Sequence, residues 1–446
     1  MNRSREFLKS IDELGPIPEA VMARARRSLL DYLAVAAAGA RFQQSKLDDY
    51  MRFAEPEEGA FTAIGTGRKL VLKEAVFLNG LNGHALDLDD GTNSGIIHLG
   101  SPIFSLLLPL AQRYDRSIEQ VLRAAVLGYE TSYTMAVSIQ PGHKALGYHA
   151  TGTCGTLGAA VAAAYLLDFS EEERFRAFAA ACVAASGMLK VLDDGSELKP
   201  YNVAKTALLA LTAVQMAKAG FRGSPDPLGG SRGFFKMMTG KEDLELQPVR
   251  LGGTWAIQKS YTKPYASCRY THPAVEAAIH LRNTCNLRPE DVESIEIRTY
   301  SLAVSGHDHT EIPGSYSAKM SIPYSTAAGL IFGKAGLQEF SEETVKEERV
   351  LALTRKVRVC ADEALSAIFP AVQAAVVEIR TTDGKSVCER VDFPKGEPEN
   401  PLSDEEFRSR YDALTAYAGM AADASARIFE TVYREDAKAR EILDLL

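Results

Sequence analysis

Apolar and small residues follow helical spacing through most of the first 260 residues. After a helix running from Pro18 to Ala40, Ala- and Leu-rich segments recur at 73–87, 101–113, 117–138, 155–168, 171–190 and 203–219. Because small side chains let helices approach closely, these segments are predicted to pack on several sides. No fixed-period repeat is visible, which argues against a solenoid. The N-terminal part is therefore predicted to be almost entirely helical.

The pattern changes after about Trp255. Alternating apolar residues at 292–300 and 356–362 predict strands, and two β-rich runs flank Asp383-Gly384, a strong hairpin signal. A helix from Pro273 to about Asn283 lies among them, so this part is α+β. Helical character returns after a Pro- and charge-rich linker at 394–402. The fold class is mainly α: a large all-helical domain built from both chain ends (1–262 and 400–446) and a smaller inserted α+β domain (263–399).

Composition narrows the function classes. A chain of 446 residues is long enough for two domains. Its net charge of −8 argues against a nucleic-acid partner or an anionic membrane surface. The N-terminus lacks an apolar signal region, and no apolar run approaches the ~20 residues needed to span a bilayer. Six scattered cysteines without a CxxC pair indicate reduced thiols, so a cytoplasmic location is expected.

The first of three polar clusters lies at 79–102, between apolar segments. It contains His84, Asp87, Asp89, Asp90, Thr92 and His98. On a helix His84 and Asp87 would share a face, as would Asp87 and Asp90. The following glycines imply a turn that returns the chain, so that His98 can approach the carboxylates. A carboxylate beside an imidazole orients the ring for proton transfer.

Other interpretations of this cluster stay open. It could be a helix cap followed by a solvated acidic turn. DLDDGTN also looks like the aspartate-rich magnesium motif of terpenoid synthases, which needs a second ligand cluster that the sequence does not clearly offer. An EF-hand is disfavoured, because no glutamate stands twelve residues on from Asp87 or Asp89.

The second cluster spans 147–160. Tyr148 and His149 precede a Thr/Gly-rich turn that is predicted to lead into an Ala-rich helix. The free N–H groups at the start of such a helix favour a carboxylate. The alternative is that these threonines and glycines only cap and close-pack the helix.

The third cluster comprises two lysine-bearing segments, 193–205 and 263–278. Lys199 and Lys263 each precede a proline, which places them on extended or turn residues. Arg269 and His272 follow the second lysine, so the two segments together indicate an anion-binding wall. The alternative is ordinary surface sequence.

Absent motifs limit the chemistry further. The sequence has no GxGxxG after a strand, no GxxxxGK[ST], no GxSxG and no HExxH, which argues against nucleotide-binding, hydrolase and zinc chemistry. His, Asp, Lys and Tyr remain. They suit proton abstraction next to a carboxylate or imine, elimination of water, or protonation after loss of carbon dioxide.

Two of these segments resemble a known family. NGLNGHALDLDD (79–90) and KPYASCRYTHPAVEAA (263–278) are similar to signature segments of the MmgE/PrpD family, and matching segments run in order from about residue 18 to the C-terminal helices. The family includes 2-methylcitrate dehydratase, cis-aconitate decarboxylase and iminodisuccinate epimerase. The resemblance implies a large helical domain, a smaller α+β lid, a homodimer, and neither a metal nor an organic cofactor.

The resemblance also implies site residues. The catalytic positions are Asp87, His98, His149, Lys199, His272 and Tyr324. Thr92 (or its neighbour Gly91) is a substrate-binding position of the same site, and the polar clusters add Tyr148, Lys263 and Arg269 as substrate-binding candidates. His98 and His149 would form an acid/base pair, with Asp87 orienting one imidazole. Lys199, His272 and Tyr324 would hold carboxylates or stabilise an enolate-like intermediate, and lid closure would exclude water.

Two departures from the family pattern limit the substrate assignment. One extra residue precedes His98, and PYNVAKTA follows Lys199 where relatives often carry a His and a Gly. The expected function is a cofactor-independent lyase, a dehydratase or decarboxylase, acting on a small di- or tricarboxylate of the methylcitrate/cis-aconitate type. An epimerase or isomerase of an iminodisuccinate-like dicarboxylate is the alternative. A magnesium-dependent terpenoid-synthase-like enzyme and a catalytically silent binding protein are more remote.

Overall fold

A computed structural model describes residues 2–192 and 196–446 of this mainly helical protein. Asp193, Asp194 and Gly195, which open the first lysine-bearing segment, lie outside the described residues. The helices are α1 (Arg3–Asp12), α2 (Glu19–Phe42), α3 (Gln44–Ala54), α4 (Leu72–His84), α5 (Gly100–Arg113), α6 (Ile118–Ile139), α7 (Gly142–Ala145), α8 (Ala150–Leu166), α9 (Glu171–Ala184), α10 (Lys199–Lys218), α11 (Phe234–Thr239), α12 (His272–Cys285), α13 (Ser301–Val304), α14 (Ser315–Met320), α15 (Ile322–Phe332), α16 (Glu348–Thr354), α17 (Glu363–Ala367), α18 (Asp404–Tyr417), α19 (Ala422–Val432) and α20 (Ala439–Leu443). The strands are β1 (Glu58–Ala63), β2 (Arg68–Leu70), β3 (Val292–Thr299), β4 (Val357–Ala361), β5 (Ala375–Thr381) and β6 (Ser386–Val391).

The chain forms two compact units. Unit 1 consists of Met1–Lys190, Leu198–Ser260 and Asp404–Leu446, and unit 2 of Val191–Glu197 and Tyr261–Ser403. Within the described residues, no helix combines the length and the apolar character that crossing a bilayer requires.

Helix α8 lies at the centre of unit 1, where it packs against α5, α6, α9 and α10. Its side chains from Ala150 to Ala164 are all buried. At Gly158 the approach of α6 is so close that an added Cβ would lie 1.8 Å from Ser132 Oγ and 2.5 Å from the Gly128 carbonyl oxygen. The Gly/Ala-rich sequence of this segment is therefore what allows the two helices to meet backbone to backbone.

Gly158→Ala is expected to destabilise the protein by about 1–3 kcal/mol, the usual cost of overpacking a tight core, because that methyl group would displace α6. Gly155→Ala, on the same helix, is the matched control. Its added Cβ would meet nothing closer than 3.5 Å. In urea unfolding Gly155→Ala should keep or raise the free energy of unfolding, and equal behaviour of the two variants would contradict this packing.

Unit 2 is built around a sheet of four strands in the order β4-β3-β5-β6. Strand β3 pairs in parallel with β4 and antiparallel with β5, and β5 pairs antiparallel with β6. Strands β3 and β4 confirm the two predicted from alternation. The hairpin predicted at Asp383-Gly384 is confirmed between β5 and β6, with Gly384 at a φ of +84°. The predicted helix at 273–283 is confirmed as α12.

A small antiparallel hairpin interrupts the N-terminal region that was predicted to be almost entirely helical. Strands β1 and β2 pair with each other. Gly65 and Gly67, at φ +75° and +67°, form the turn between them. Glycine adopts this left-handed backbone conformation readily. The two glycines were therefore the sequence signal for a turn between two strands.

Candidate active site

The acidic segment of the first cluster lies just beyond a helix end. Helix α4 ends at His84, so the prediction that His84 and Asp87 share a helical face is wrong. The chain instead turns, with Asp87 in the left-handed region at φ +53°. Aspartate is among the non-glycine residues that tolerate this region best. As a result it is Asp89 whose carboxylate meets His84, with Oδ1 2.8 Å from Nδ1.

The predicted return of the chain toward these carboxylates is confirmed. The Thr92 amide donates to the Ile97 carbonyl over 2.9 Å, closing a tight loop in which the Thr92 side chain is buried. His98 follows at once. Its Nε2 lies 3.7 Å from Asp87 Oδ1, and its Nδ1 lies 3.4 Å from Asp89 Oδ1.

The imidazole of His98 is oriented from its Nδ1 side. Nδ1 lies 2.9 Å from the carbonyl oxygen of Asp90. A carbonyl only accepts, so Nδ1 carries the hydrogen and Nε2 of the neutral ring is left as a proton acceptor. Asp87, which was predicted to orient one imidazole, lies on the Nε2 side of the His98 ring, and the groups beside Nδ1 are the Asp90 carbonyl and the Asp89 carboxylate.

Asp89 supplies a buried negative charge behind His98. Burial alone would raise its pKa, but its contacts with His84 and His98, hydrogen bonds among them, outweigh burial and hold the pKa of Asp89 well below its usual range. Burial lowers the pKa of His84 to about 4, against the opposing effect of Asp89, so His84 is neutral at neutral pH. An ionised carboxylate beside Nδ1 stabilises the imidazolium that forms when Nε2 takes a proton.

Lys199 brings a positive charge to the same cluster. It is the first residue of α10, followed by Pro200, and not an extended or turn residue as predicted. Proline is well tolerated in the first helical turn, since its missing N–H is not needed there. The Lys199 ammonium lies 2.5 Å from Asp87 Oδ1, and both side chains are buried. Lys199 and His98 therefore approach the same carboxylate oxygen.

His149 occupies the position before α8. The predicted Thr/Gly-rich turn after it does not form, since α8 begins at Ala150. The His149 amide donates to the Gly187 carbonyl over 3.1 Å, and its Nδ1 lies 3.3 Å from Asn202 Nδ2. Burial, and after it the positive charge of Lys199, lowers the pKa of His149 well below its usual value. His149 is therefore a neutral imidazole close to the Lys199 ammonium.

Tyr148 is held next to His149 by a second histidine. Its half-buried ring stacks on His143 with centroids 5.1 Å apart. His143 Nε2 lies 2.8 Å from Thr153 Oγ1, in the first turn of α8. This contact ties the segment before α8 to the helix itself.

The C-terminal helix α18 supports the acidic segment from a distance in sequence. Arg410 donates to the Leu88 carbonyl over 3.1 Å and forms a buried ion pair with Asp31. Leu88 stands between Asp87 and Asp89, so α18 fixes the backbone that carries both carboxylates.

Asp90 is a structural carboxyl. It accepts hydrogen bonds from the Tyr129 hydroxyl over 2.6 Å and from the Gly100 amide over 2.8 Å. Burial raises the pKa of Asp90 to about 6, although the Tyr129 hydrogen bond acts in the opposite direction. Asp90 therefore binds a proton more readily in the folded protein than in the unfolded chain.

Because the folded-state pKa is raised, the contribution of Asp90 to stability is fully present below its unfolded pKa and is lost as the pH rises through about 6. Asp90→Asn removes this titration and keeps the backbone carbonyl that holds His98. Between pH 4 and 7.5, the unfolding free energy of wild type relative to Asp90→Asn should fall by about 2 kcal/mol. Asp243→Asn, at a residue whose side chain is 95% exposed, is the control. A pH-independent difference between wild type and Asp90→Asn would contradict the shift.

The remaining predicted site residues belong to unit 2. His272 is buried as the first residue of α12, with Nε2 3.2 Å from the Ser267 carbonyl oxygen. The Tyr324 side chain is also buried, and its hydroxyl donates to the Glu339 carbonyl over 2.7 Å. A role of Tyr324 on a substrate therefore requires that this bond be exchanged.

Two predicted cations of unit 2 flank one aromatic ring. Lys263 Nζ lies 6.0 Å, and Arg269 Cζ 5.9 Å, from the ring centroid of Tyr261. Arg269 forms a buried ion pair with Glu397. The Glu397 carboxylate therefore balances the positive charge of Arg269 within unit 2. The sequence had instead predicted that Arg269 forms part of an anion-binding wall.

A metal ion has a possible ligand set in unit 1. Among the described residues, ligand atoms of His84, Asp87, Asp89 and His98 all lie within 4.8 Å of one another. The Lys199 ammonium already lies against Asp87, so a divalent cation would compete with a fixed positive charge. A metal ion that took part in the reaction at this cluster would make the activity sensitive to a chelator.

Unit 1 brings together Asp87, His98, Lys199 and His149, which were predicted from the sequence. Asp89 and Asn202 were missed as site residues. Asn202 stands three residues after Lys199 on α10; its spacing from Lys199 was the available signal. Predicting that Asp89, and not Asp87, contacts His84 would have required knowing that α4 ends at His84.

Comparison with known proteins agrees with this arrangement of segments. Residues 12–247 match the MmgE/PrpD N-terminal domain and residues 265–435 the MmgE/PrpD C-terminal domain. Cis-aconitate decarboxylase of Aspergillus terreus is 28% identical over 436 residues, covering 92% of this chain and 87% of that protein. Cis-aconitate decarboxylase-like protein oryM of Aspergillus oryzae is 27% identical (93% and 91% covered), and cis-aconitate decarboxylase of Mus musculus 23% (90% and 84%). The two domain matches together cover most of the chain, which therefore belongs to the MmgE/PrpD family.

Proposed function

We propose that this protein is a cofactor-independent lyase that acts on a small di- or tricarboxylate of the methylcitrate/cis-aconitate type. One observation carries the proposal: a proton-accepting imidazole and a buried ammonium meet at a single carboxylate, with His98 Nε2 at 3.7 Å and Lys199 Nζ at 2.5 Å from Asp87 Oδ1. The names of the relatives, cis-aconitate decarboxylases, support the substrate class.

The ammonium of Lys199 binds a substrate carboxylate. An ammonium has three N–H donors, so it can hold Asp87 and a substrate carboxylate at once. Asp87 keeps the ammonium fixed in the buried cluster, where an unpaired charge would be costly. This pair orients the substrate and leaves the proton chemistry to the histidines.

His98 transfers the proton at carbon. In a decarboxylation, the bond to the departing carboxylate breaks, carbon dioxide leaves, and the electron pair is taken up by conjugation with a remaining carboxylate. His98, which has first taken up a proton from solvent at Nε2, then delivers this proton from its imidazolium to carbon and returns to the neutral ring. In a dehydration, neutral His98 removes a proton from the carbon next to a carboxylate, the C–O bond breaks, and the hydroxyl group leaves as water with the Nε2 proton of His149. The His149 imidazolate then regains a proton from solvent as His98 releases its own. Asp89 stabilises the charged His98 ring in both cases.

The test is conversion by chelator-treated protein. The protein is dialysed against EDTA and incubated in heavy water with cis-aconitate, 2-methylcitrate, citrate and iminodisuccinate in separate samples, each followed by proton NMR. Loss of carbon dioxide or water from one of the tricarboxylates, undiminished by EDTA, is the expected result. Epimerisation of iminodisuccinate alone would replace the lyase by an isomerase. Restoration of activity only by added Mg²⁺ would overturn cofactor independence.

The homodimer and the cytoplasmic location expected from the sequence stay predictions. Light scattering of the purified protein would give a mass of two chains if the first is correct.

A further inference from the structure

The two proposed catalytic histidines differ in what their Nδ1 atoms contact: a side-chain amide nitrogen at His149 and a backbone carbonyl oxygen at His98. Asn202 lies on α10, and its buried side-chain nitrogen contacts two groups, the Met188 carbonyl oxygen at 3.3 Å and His149 Nδ1 at 3.3 Å. Met188 is adjacent to Gly187, whose carbonyl accepts the His149 amide. Asn202 thus links α10 both to the His149 ring and to the segment whose Gly187 carbonyl holds the His149 amide.

The Met188 carbonyl fixes which end of the Asn202 amide faces His149. A carbonyl oxygen only accepts, so the amide atom beside it is the NH₂ group. The same nitrogen faces Nδ1 of His149, which must therefore accept and carry no hydrogen. A neutral imidazole has one ring hydrogen, and that hydrogen is then on Nε2.

His98 has the opposite arrangement. Its Nδ1 donates to the Asp90 carbonyl at 2.9 Å, so its Nε2 is the bare nitrogen. We propose that Asn202 is a positioning residue that fixes His149 as the Nε2–H tautomer, which makes His149 a proton donor and His98 a proton acceptor while both rings are neutral. This inference rests on the proposed function only for its catalytic consequence, since the tautomer itself is a property of the free protein.

The test is nitrogen NMR of protein labelled with ¹⁵N-histidine, without substrate, with His149→Gln used to assign the His149 signals. Wild type is expected to show a bare Nδ1 and a protonated Nε2 at His149. Asn202→Asp offers Nδ1 an acceptor and should move the hydrogen to Nδ1. Asn202→Leu, of similar size and without a donor, should leave a mixture of tautomers. A wild-type His149 with the hydrogen on Nδ1, or an unchanged tautomer in both variants, would overturn the proposal and leave Asn202 as a packing residue.

Kinetics separate this inference from the proposed function. With the substrate found in the panel above, Asn202→Asp should lower kcat by about 10²-fold or more, the low end for a positioned acid or base. It should also change the pH profile of kcat, and the KM should change little. A fall in kcat with an unaltered pH profile would indicate a structural role and count against the inference. If no acid of the panel is converted, the proposed function fails while the tautomer measurement still decides the inference.

Discussion

Replacing His98 by glutamine should lower kcat by about 10²–10⁴-fold, the usual contribution of a positioned acid or base. The glutamine amide can still donate to the Asp90 carbonyl and fill the buried space, but it cannot take up or deliver a proton. The KM should change much less than kcat, because Lys199 continues to bind the carboxylate. Steady-state kinetics on the converted substrate measure both constants.

The matched control is His280→Gln. His280 is a half-exposed residue of unit 2 that pairs with Glu389, so its replacement should leave kcat unchanged. Wild-type turnover in His98→Gln would remove His98 from the proton-transfer step and with it the proposed mechanism.

Lys199→Met is expected to have the largest combined effect on stability and activity. Removing one partner of a buried ion pair typically costs about 3–5 kcal/mol, because the other charge stays buried without compensation. Asp87 would be that charge. The variant should also lose substrate binding, since no ammonium is left to hold a carboxylate. Urea unfolding and ligand-induced thermal shifts measure the two losses separately.

A double replacement distinguishes charge from packing. Asp87→Asn removes the buried negative charge, and asparagine is compatible with the left-handed backbone at this position. Lys199→Met with Asp87→Asn should therefore recover most of the lost stability and none of the activity. Lys218→Met, at an exposed residue of the same helix, should change neither. Full activity in the double variant would contradict the role given to Lys199.

The sequence predicted the elements of this fold where periodicity was strong. The Ala/Leu-rich segments are helices, the alternating segments are strands, and the family suggested by two signature segments is confirmed. Local pattern is sufficient there because each element repeats its apolar positions many times. The hairpin β1–β2 was missed because only Gly65 and Gly67 mark it.

The site was harder to predict, because it depends on where helices end. Periodicity does not fix the last residue of α4 or the first residue of α8. The ends of these helices also depend on contacts between distant parts of the chain. One such contact is the hydrogen bond from Arg410 to the Leu88 carbonyl, 322 residues away. Without the end of α4, Asp87 and Asp89 could not be told apart as partners of His98. The return of His98 was predictable, since the glycines of its loop imply a turn.

The proposed decarboxylation requires that His98 deliver a proton to a substrate carbon without a metal or an organic cofactor. The NMR spectrum of the product that EDTA-treated enzyme forms from cis-aconitate in heavy water tests this requirement. The product should have lost one carbon dioxide and should carry one solvent deuteron at a single carbon, and His98→Gln should form no such product. Product that carries the deuteron at the same rate in His98→Gln, or forms only after a metal is added back, would contradict this requirement.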